Sequence, residues 1–200
     1  MRQQGLRGCL RRRFRVLTTD SRHPWPIAPN RLASRSVPSG PNQVWVTDIT
    51  YVPTAEGWLY LAAVMDLWSR RIVGWATSDS LQTPLVSAAL RQALSRRRPP
   101  PGLLHHSDRG CQYASQDYRR LLAAHQIEAS MSRAGNCYDN VAMESFWSRL
   151  KTEWLHPAPL ATRTETRTAL FEWIEAFYNR QRLHSSPSYQ SPVDFETQLN

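Results

Sequence analysis

The sequence predicts an α/β domain in which a mixed five-stranded sheet is flanked by helices. Three apolar, β-branched stretches separated by short polar intervals are typical of an antiparallel meander; they are Val44–Val52, Trp58–Met65 and Arg71–Ala76. Beyond them the apolar residues recur at helical spacing, and helical stretches then alternate with short apolar ones. Strands followed by alternating helices and strands indicate a mixed sheet covered by helices.

The later elements follow from the same periodicities. A helix is predicted over Leu85–Leu94, where the three prolines from Pro99 onward end it. A short buried strand at Gly102–His106 comes next. It is followed by a helix at Tyr118–His125 and a second short buried strand at Ile127–Met131. Asp139 and Asn140 are helix-capping residue types ahead of a helix that reaches about Leu155, and a last helix carries an apolar stripe over Leu170–Tyr178.

The excess positive charge is concentrated at the amino terminus. Residues 1–36 contain nine arginines and one acidic residue, Asp20, whereas the other 164 residues contain 16 basic and 15 acidic side chains. Five prolines fall between Pro24 and Pro41. We therefore expect a basic arm or linker over residues 1–42 and a catalytic core over residues 43–200. Such an arm suits a polyanion, although a basic terminus can also be merely solvated.

Several classes of protein are excluded by composition. No apolar run approaches the roughly 18 residues of a membrane span, and no apolar stretch follows Arg11–Arg13 as an export signal requires. The cysteines Cys9, Cys111 and Cys137 are odd in number and never spaced as C-x-x-C, which indicates neither a disulfide framework nor a cysteine zinc site and fits a reducing cytosol. His105 and His106 have no second ligand cluster near them in sequence.

Three carboxylates stand at informative positions. Asp48 shares an otherwise mostly apolar strand face with Val46 and Val52, where an isolated charge is costly unless it is paired, neutral or bound to a metal. Asp108 follows a predicted strand end, and Glu144 lies in the first turns of a predicted helix. Each has an ordinary alternative, namely a structural strand aspartate, a turn aspartate and a solvated helical glutamate.

Taken together, the three carboxylates resemble the D,D(35)E motif of transposases and retroviral integrases, because 35 residues separate Asp108 from Glu144. The sequence segments around these carboxylates and near the end of the chain also resemble those of that family: Trp45–Tyr51, His106–Gly110, Asn136–Asn140 leading into Glu144–Phe146, and Tyr178–His184. From about Asn42 to Glu196 the chain resembles the OrfB-type transposase of a bacterial insertion sequence, with an integrase-like catalytic core.

The resemblance implies a ribonuclease H-like fold and a polynucleotidyl transferase activity. It implies that Asp48, Asp108 and Glu144 are both the catalytic residues and the ligands of two Mg²⁺ (or Mn²⁺) ions, with Asp48 bridging the ions. Two such ions activate the attacking oxygen and stabilise the leaving oxygen of an in-line displacement. Water is then the nucleophile for strand cleavage and a DNA 3′-hydroxyl for strand transfer, with no covalent protein–DNA intermediate.

Basic residues near the triad are candidates for DNA contacts. Lys151 is the only lysine of the chain and follows Glu144 by seven residues, so that the two can address one ligand from one helix face. Arg149, Arg133 and Arg109 are further candidates, whereas Asp66 is expected to serve a turn rather than to be a fourth ligand.

The resemblance also implies partners and marks departures from the family. It implies binding to element ends and target DNA, a homo-oligomer on DNA, and a location at the bacterial nucleoid in the cytoplasm. Relatives carry a helix-turn-helix region ahead of the arm, whereas Met1 falls where that region would be ending, so the chain is expected to be truncated there. Recognition of element ends is then expected to need either that missing region or a separate helix-turn-helix protein from an upstream frame. Ser185–Tyr189 departs from the usual tail pattern. Two alternatives to the transposase remain, a ribonuclease H-like nuclease without joining activity and a non-catalytic DNA-binding remnant.

Overall fold

A five-stranded mixed sheet forms the centre of the structure, a computed structural model that describes residues 23–133, 140–155, 161–185 and 189–198. Its strands lie in the order β3-β2-β1-β4-β5. They span Val44–Thr54 (β1), Gly57–Asp66 (β2), Ile72–Ser78 (β3), Leu104–Ser107 (β4) and Glu128–Met131 (β5). The predicted fold class is confirmed, since the three-stranded meander and the two later strands join into one sheet.

The first three strands and the last two are paired differently. β1, β2 and β3 are antiparallel neighbours, and the turn between β1 and β2 brings Thr54 opposite Gly57. β4 lies parallel to β1, with Val46 opposite His106, and β5 lies parallel to β4. Parallel neighbours require crossover connections, which the helices between these strands provide.

Helices cover both faces of the sheet. One face packs against α1 (Thr83–Arg97), α2 (Cys111–Ala114) and α3 (Gln116–Ala124), and β1 contributes Trp45 and Ile49 to this core. The other face packs against α4 (Val141–Arg149) and α5 (Arg163–Phe171), and here β1 contributes Val46 and Val52. The alternation of side chains along β1 therefore places Asp48, which has the same parity as Val46, on the face that α4 covers.

The two helices on this second face change their winding. α4 continues as a π-helix over Leu150–Leu155, and α5 continues as a π-helix over Glu172–Tyr178. The predicted extents to Leu155 and Tyr178 are thus right, although the change of winding was not expected. The sequence also did not predict α2, the short α6 (Pro192–Thr197) or the 3₁₀ turn Leu32–Ser34.

The predicted capping of α4 needs a correction. Asn140 occupies the N-cap position, but its side chain makes no capping hydrogen bond, and its Oδ1 is buried with no hydrogen-bond partner among the described residues. Its backbone, at φ −121° and ψ 19°, is not in the extended conformation that turns an N-cap oxygen toward the helix amides. Asp139, the other expected cap, lies outside the described residues.

Residues 23–42 lie against the core. The Oγ of Ser130 on β5 accepts hydrogen bonds from the amides of Arg31 and Leu32 at 2.9 and 3.3 Å. The ring of His23 is bonded through Nε2 to the carbonyl oxygen of Arg109 at 2.9 Å. These contacts fasten this segment beside the parallel strands.

A partly buried ionic cluster joins three parts of the chain around Glu196 of α6. Arg97 at the end of α1 binds this carboxylate through both terminal nitrogens at 2.7 and 2.8 Å. Arg71 donates to it at 2.6 Å and the Ser69 hydroxyl at 2.8 Å. Burial alone would raise the pKa of Glu196, but the hydrogen bonds and charge of Arg97, assisted by Arg71 and Ser69, hold it below its usual range. The short α6 is therefore anchored by charge.

Replacing Glu196 by Gln tests this cluster. Because the pKa of Glu196 is lower folded than unfolded, its stabilisation is present above the unfolded pKa of about 4.3 and is lost as the pH falls through the folded value. We expect E196Q to lose about 2–4 kcal/mol of unfolding free energy at neutral pH and to show a flatter acid limb below about pH 4.3. Urea unfolding at several pH values measures both, with the exposed Asp117→Asn as the control. If the unfolding free energies of E196Q and the parent fell equally steeply with decreasing pH, this role of Glu196 would be contradicted.

Gly74 permits the close packing of β3 on α1. A Cβ at this position would lie 2.6 Å from the backbone nitrogen of Ala93 and 2.8 Å from its Cβ, closer than van der Waals contact allows. Because the obstructing atoms belong to a helix backbone, they cannot rotate away, and strand and helix would have to separate.

We expect Gly74→Ala to lower the unfolding free energy by about 1–3 kcal/mol, as overpacked cores do. Gly40→Ala is the matched control, since its Cβ would meet only the end of the Gln43 side chain at 3.4 Å. The midpoint of urea unfolding measures the difference. Equal midpoints for the two variants would show that this contact relaxes without cost.

Candidate active site

The parallel register of β1 and β4 brings Asp48 and Asp108 to the same level of the sheet. Val46 stands opposite His106, and each aspartate lies two residues further along its own strand direction. Asp108 directly follows β4, whose last residue is Ser107, so its side chain stands at the carboxyl end of the strand. Ligand sites of open α/β sheets lie at this end.

α4 carries the third carboxylate over the same face. Met143, Phe146 and Trp147 bury one side of this helix against the sheet, while Glu144 is exposed. The indole Nε1 of Trp147 donates a hydrogen bond to Asp48 Oδ2 at 2.9 Å. Since Glu144 and Trp147 are three residues apart on the helix, they lie on neighbouring positions of its surface. The bond to Asp48 thus fixes the helix face that bears Glu144 near β1.

The electrostatics of Asp48 show that Asp108 and Glu144 both lie close enough to act on its carboxyl group. The pKa of Asp48 is raised from 3.8 to about 7, first by burial and then by the negative charges of Asp108 and Glu144. Hydrogen bonds from the Ile49 backbone and from Trp147 act in the opposite direction. A carboxyl group that neighbouring carboxylates hold close to neutrality is the arrangement that a bound cation would relieve.

The position of Asp108 is set by the turn that follows it. Its Oδ1 accepts a hydrogen bond from the Gly110 amide at 2.8 Å. A Cβ on Gly110 would lie 3.0 Å from that same oxygen, so a glycine allows the carboxylate to fold back onto the turn. Tyr113 is buried near both aspartates, in the core that packs under α1 and α3. Burial and the charges of Asp48 and Asp108 raise its pKa well above 10, so its hydroxyl keeps its proton.

The donor set is suited to a hard divalent cation, since it consists of carboxylate oxygens. Among the described residues, however, no group of three or more histidine, cysteine, aspartate or glutamate side chains stands close enough to hold a metal ion as it is. The proximity of the three carboxylates therefore rests on the strand register, the Trp147 hydrogen bond and the raised pKa of Asp48.

The expected DNA-contacting residues have different surroundings. The Lys151 ammonium lies over the ring of Tyr51, 4.7 Å from its centroid, and Tyr51 follows Asp48 by three residues on β1. Arg109 donates from Nε to the Ser132 carbonyl at 2.7 Å. Arg133 and Arg149 are exposed, and Arg149 lies 3.9 Å from Glu153.

Three polar residues near these motifs serve the fold. His105 bonds to the Tyr118 hydroxyl at 2.7 Å and His106 to the Ser130 hydroxyl at 2.9 Å, both within the core. Asp66 accepts hydrogen bonds from the amides of Trp68 and Ser69, which confirms its predicted turn role. Sequence reasoning missed Trp147 and Tyr113, although the spacing of Trp147 from Glu144 carried a signal for the former.

The fold is that of the integrase catalytic cores. Residues 38–137 match the integrase core domain family, and residues 125–192 match a second integrase core domain family. The chain therefore belongs to the integrase core domain family.

Sequence relatives narrow the class to insertion-sequence transposases of the IS3 type. The chain is 49% identical over 185 residues to the "insertion element IS600 uncharacterized 31 kDa protein" of Shigella sonnei, covering 92% of this chain and 68% of that protein. It is 44% identical over 196 residues to "transposase InsF for insertion sequence IS3A" of Escherichia coli (strain K12), covering 98% of this chain and 68% of the relative. These matches support a DNA transposase or integrase function for the chain.

Solved structures share the ribonuclease H-like fold at low sequence identity. One is the simian T-cell lymphotropic virus intasome in complex with PP2A regulatory subunit B56 gamma, with a TM-score of 0.67 and 17% identity over 90% of this chain and 61% of that chain. Another is the HTLV-2 integrase catalytic core domain in complex with magnesium, with a TM-score of 0.60 and 17% identity over 80% of this chain and 99% of that chain. Within the described part of the chain, none of the helices is both long and apolar enough to cross a bilayer.

Replacing Trp147 by Phe tests the link between α4 and Asp48. The variant keeps an aromatic ring beside Phe146 but removes the N–H that stabilises the ionised carboxylate. We therefore expect the pKa of Asp48 to rise above its parent value of about 7. An NMR titration of the Asp48 carboxyl carbon in EDTA measures it.

Trp75→Phe is the matched control, because Trp75 Nε1 also donates to a carboxylate, Glu175, at the same distance of 2.9 Å but away from the site. This control should leave the titration of Asp48 unchanged. An unaltered or lowered Asp48 pKa in W147F would show that the indole does not hold that carboxylate.

Proposed function

We propose that this chain is a DDE-type polynucleotidyl transferase that cleaves DNA strands and joins them to a target. Asp48, Asp108 and Glu144 are its catalytic carboxylates. The observation that carries the proposal is the strand register that sets Asp48 level with Asp108, together with the Trp147 hydrogen bond that brings the helix bearing Glu144 to Asp48. Family membership supplies the class of reaction.

In this proposal the same three residues, Asp48, Asp108 and Glu144, would hold two Mg²⁺ (or Mn²⁺) ions. When bound, such ions activate the attacking oxygen and stabilise the leaving oxygen of the phosphodiester. The magnesium in the HTLV-2 integrase core, a structural neighbour, supports a divalent cation here.

The residues of the chain orient the reactants. The Trp147 hydrogen bond and the β1–β4 register keep Asp48 and Asp108 in place, while Glu144 approaches from an exposed helix face that DNA can reach. A water oxygen, or a DNA 3′-hydroxyl, attacks the phosphorus in line with the departing oxygen. One P–O bond forms as another breaks, so cleavage and strand transfer differ only in the nucleophile.

DNA contacts outside the triad come from Lys151, Arg149, Arg133 and Arg109, and from the basic arm. We propose the division into an arm over residues 1–42 and a core over residues 43–200, with the arm contributing sequence-independent attraction to phosphates. The chain acts as a homo-oligomer on element ends and target DNA in the bacterial nucleoid, and a helix-turn-helix protein supplies end recognition. The transposase relatives and the intasome among the structural neighbours support DNA as the partner.

Asp108→Asn is the decisive variant. Because an amide cannot replace a bridging or terminal anionic ligand, we expect strand cleavage in Mg²⁺ to fall by at least about 10³-fold. We also expect Mg²⁺ to lose its stabilising effect on thermal unfolding. Asp117→Asn is the control, since Asp117 is 83% exposed on α3, away from the triad.

The products distinguish transfer from hydrolysis. Incubating the full chain with Mg²⁺ and a pre-nicked element end should yield joints between the end and target DNA. Hydrolysis without joints would identify a nuclease, and cleavage that persists in D108N would remove Asp108 from the catalytic residues.

A further inference from the structure

A second polar concavity lies on the opposite side of α4 from the triad. It encloses about 350 Å³ between α4, the turn after β2 and the segment that follows α5. Arginine and histidine dominate its polar lining, and none of the described residues that line it is acidic; the basic residues are Arg70, Arg149, Arg182 and His184. We refer to these four residues as the cationic pocket.

Arg70 is held in this pocket by a strained backbone. Its φ of 65° lies in the left-handed region, which a residue with a side chain rarely adopts and which favours glycine. Its guanidinium Nε is buried and has no hydrogen-bond partner among the described residues. Strain that places an unsatisfied cation inside a pocket is typical of a ligand site rather than of a turn chosen for stability.

His184 also lines the pocket and is uncharged at neutral pH. Burial, followed by the charges of Arg182 and Arg70, lowers its pKa to about 4, although the carbonyl of Tyr178 and the charge of Glu153 act against this. Its Nε2 is likewise buried with no hydrogen-bond partner among the described residues. Glu153 binds Arg182 at 2.7 and 2.9 Å and also lies 3.9 Å from the exposed Arg149. Its single negative charge cannot balance Arg70, Arg149 and Arg182 together, so the pocket keeps an excess of positive charge.

The pocket and the triad are presented by the same helix. Ser145 and Arg149, four residues apart on α4, line the pocket, whereas Glu144 and Trp147 belong to the side that faces Asp48. The two sites are thus separated by about one helix diameter, ~10 Å. Val141 and Leu183, 52% and 61% exposed, form an apolar rim that a sugar or base can cover.

We propose that the cationic pocket binds a phosphate group of a DNA strand that passes over α4. A phosphodiester supplies the acceptor oxygen that the buried Nε of Arg70 lacks, and arginine forks match its geometry. That the phosphate belongs to DNA rests on the proposed function. That the pocket binds phosphate does not rest on it.

Arg70→Gly tests the pocket without imposing strain on the turn. Glycine adopts a φ of 65° freely, so the urea midpoint should equal or exceed that of the parent while the cation is lost. Arg98→Gly is the matched control, because Arg98 is also an arginine at positive φ (43°) but is exposed at the end of α1.

We expect inorganic phosphate, exchanged for chloride at constant ionic strength in EDTA, to stabilise the parent and R98G against heat. In R70G the half-saturating phosphate concentration should rise about tenfold or more, the loss of one charge-assisted bond.

A second pair of variants keeps the test independent of the turn. Arg149→Gln and Arg120→Gln both remove an exposed helical arginine that lies 3.9 Å from an acidic neighbour, and only the first lines the pocket. R149Q should weaken the phosphate response and R120Q should not. A phosphate response that is equal in the parent, R70G and R149Q overturns the pocket.

Fluorescence anisotropy with a labelled DNA duplex in EDTA identifies the source of the phosphate. If the DNA backbone occupies the pocket, R70G should lower the slope of log affinity against log salt by about one relative to R98G. If R70G and R98G instead give equal slopes of log affinity against log salt while phosphate stabilises only the parent and R98G, the DNA proposal is overturned in favour of a free phosphate. These titrations need no cleavage, so they decide the pocket whatever D108N shows about catalysis.

Discussion

The parallel pairing of β1 with β4 is the constraint on which the site depends. Backbone hydrogen bonds hold Val46 opposite His106, and this register alone sets Asp48 level with Asp108. A slip of one residue would turn the side chains of β1 to the other face and move Asp48 into the core beneath α1 and α3. The chemistry is thus located by the main chain, while side chains such as Trp147 refine it.

α4 joins this sheet to two different surfaces. Its apolar side, with Met143 and Phe146, is buried in the core, so its rotation about its own axis is fixed by packing. Glu144 then lies on the flank toward Asp48, and Arg149 lies on the flank toward the cationic pocket. Because one rigid element carries both flanks, the separation between a reacting phosphodiester and a second phosphate would be constant.

The sequence predicted the fold and singled out the three carboxylates proposed as catalytic, but it predicted little of the structure that supports them. Strand periodicity and the 35-residue spacing are local properties, and they predicted the sheet and the triad residues. The hydrogen bond from Trp147 to Asp48 spans 99 positions, and the cluster around Glu196 joins residues more than 90 positions apart, so no local pattern encodes them. The π-helical turns and the αL conformation of Arg70 also escaped prediction, because tertiary packing rather than propensity produces them.

Asp48 lowers the stability of the folded protein at neutral pH. Its carboxyl group loses a proton at pH 3.8 in an unfolded chain but only near 7 when buried beside Asp108 and Glu144, so at neutral pH its ionisation favours the unfolded state. A neutral residue in its place would relieve this cost. If Asp48 acts as proposed, stability and activity therefore place opposite demands on this one position.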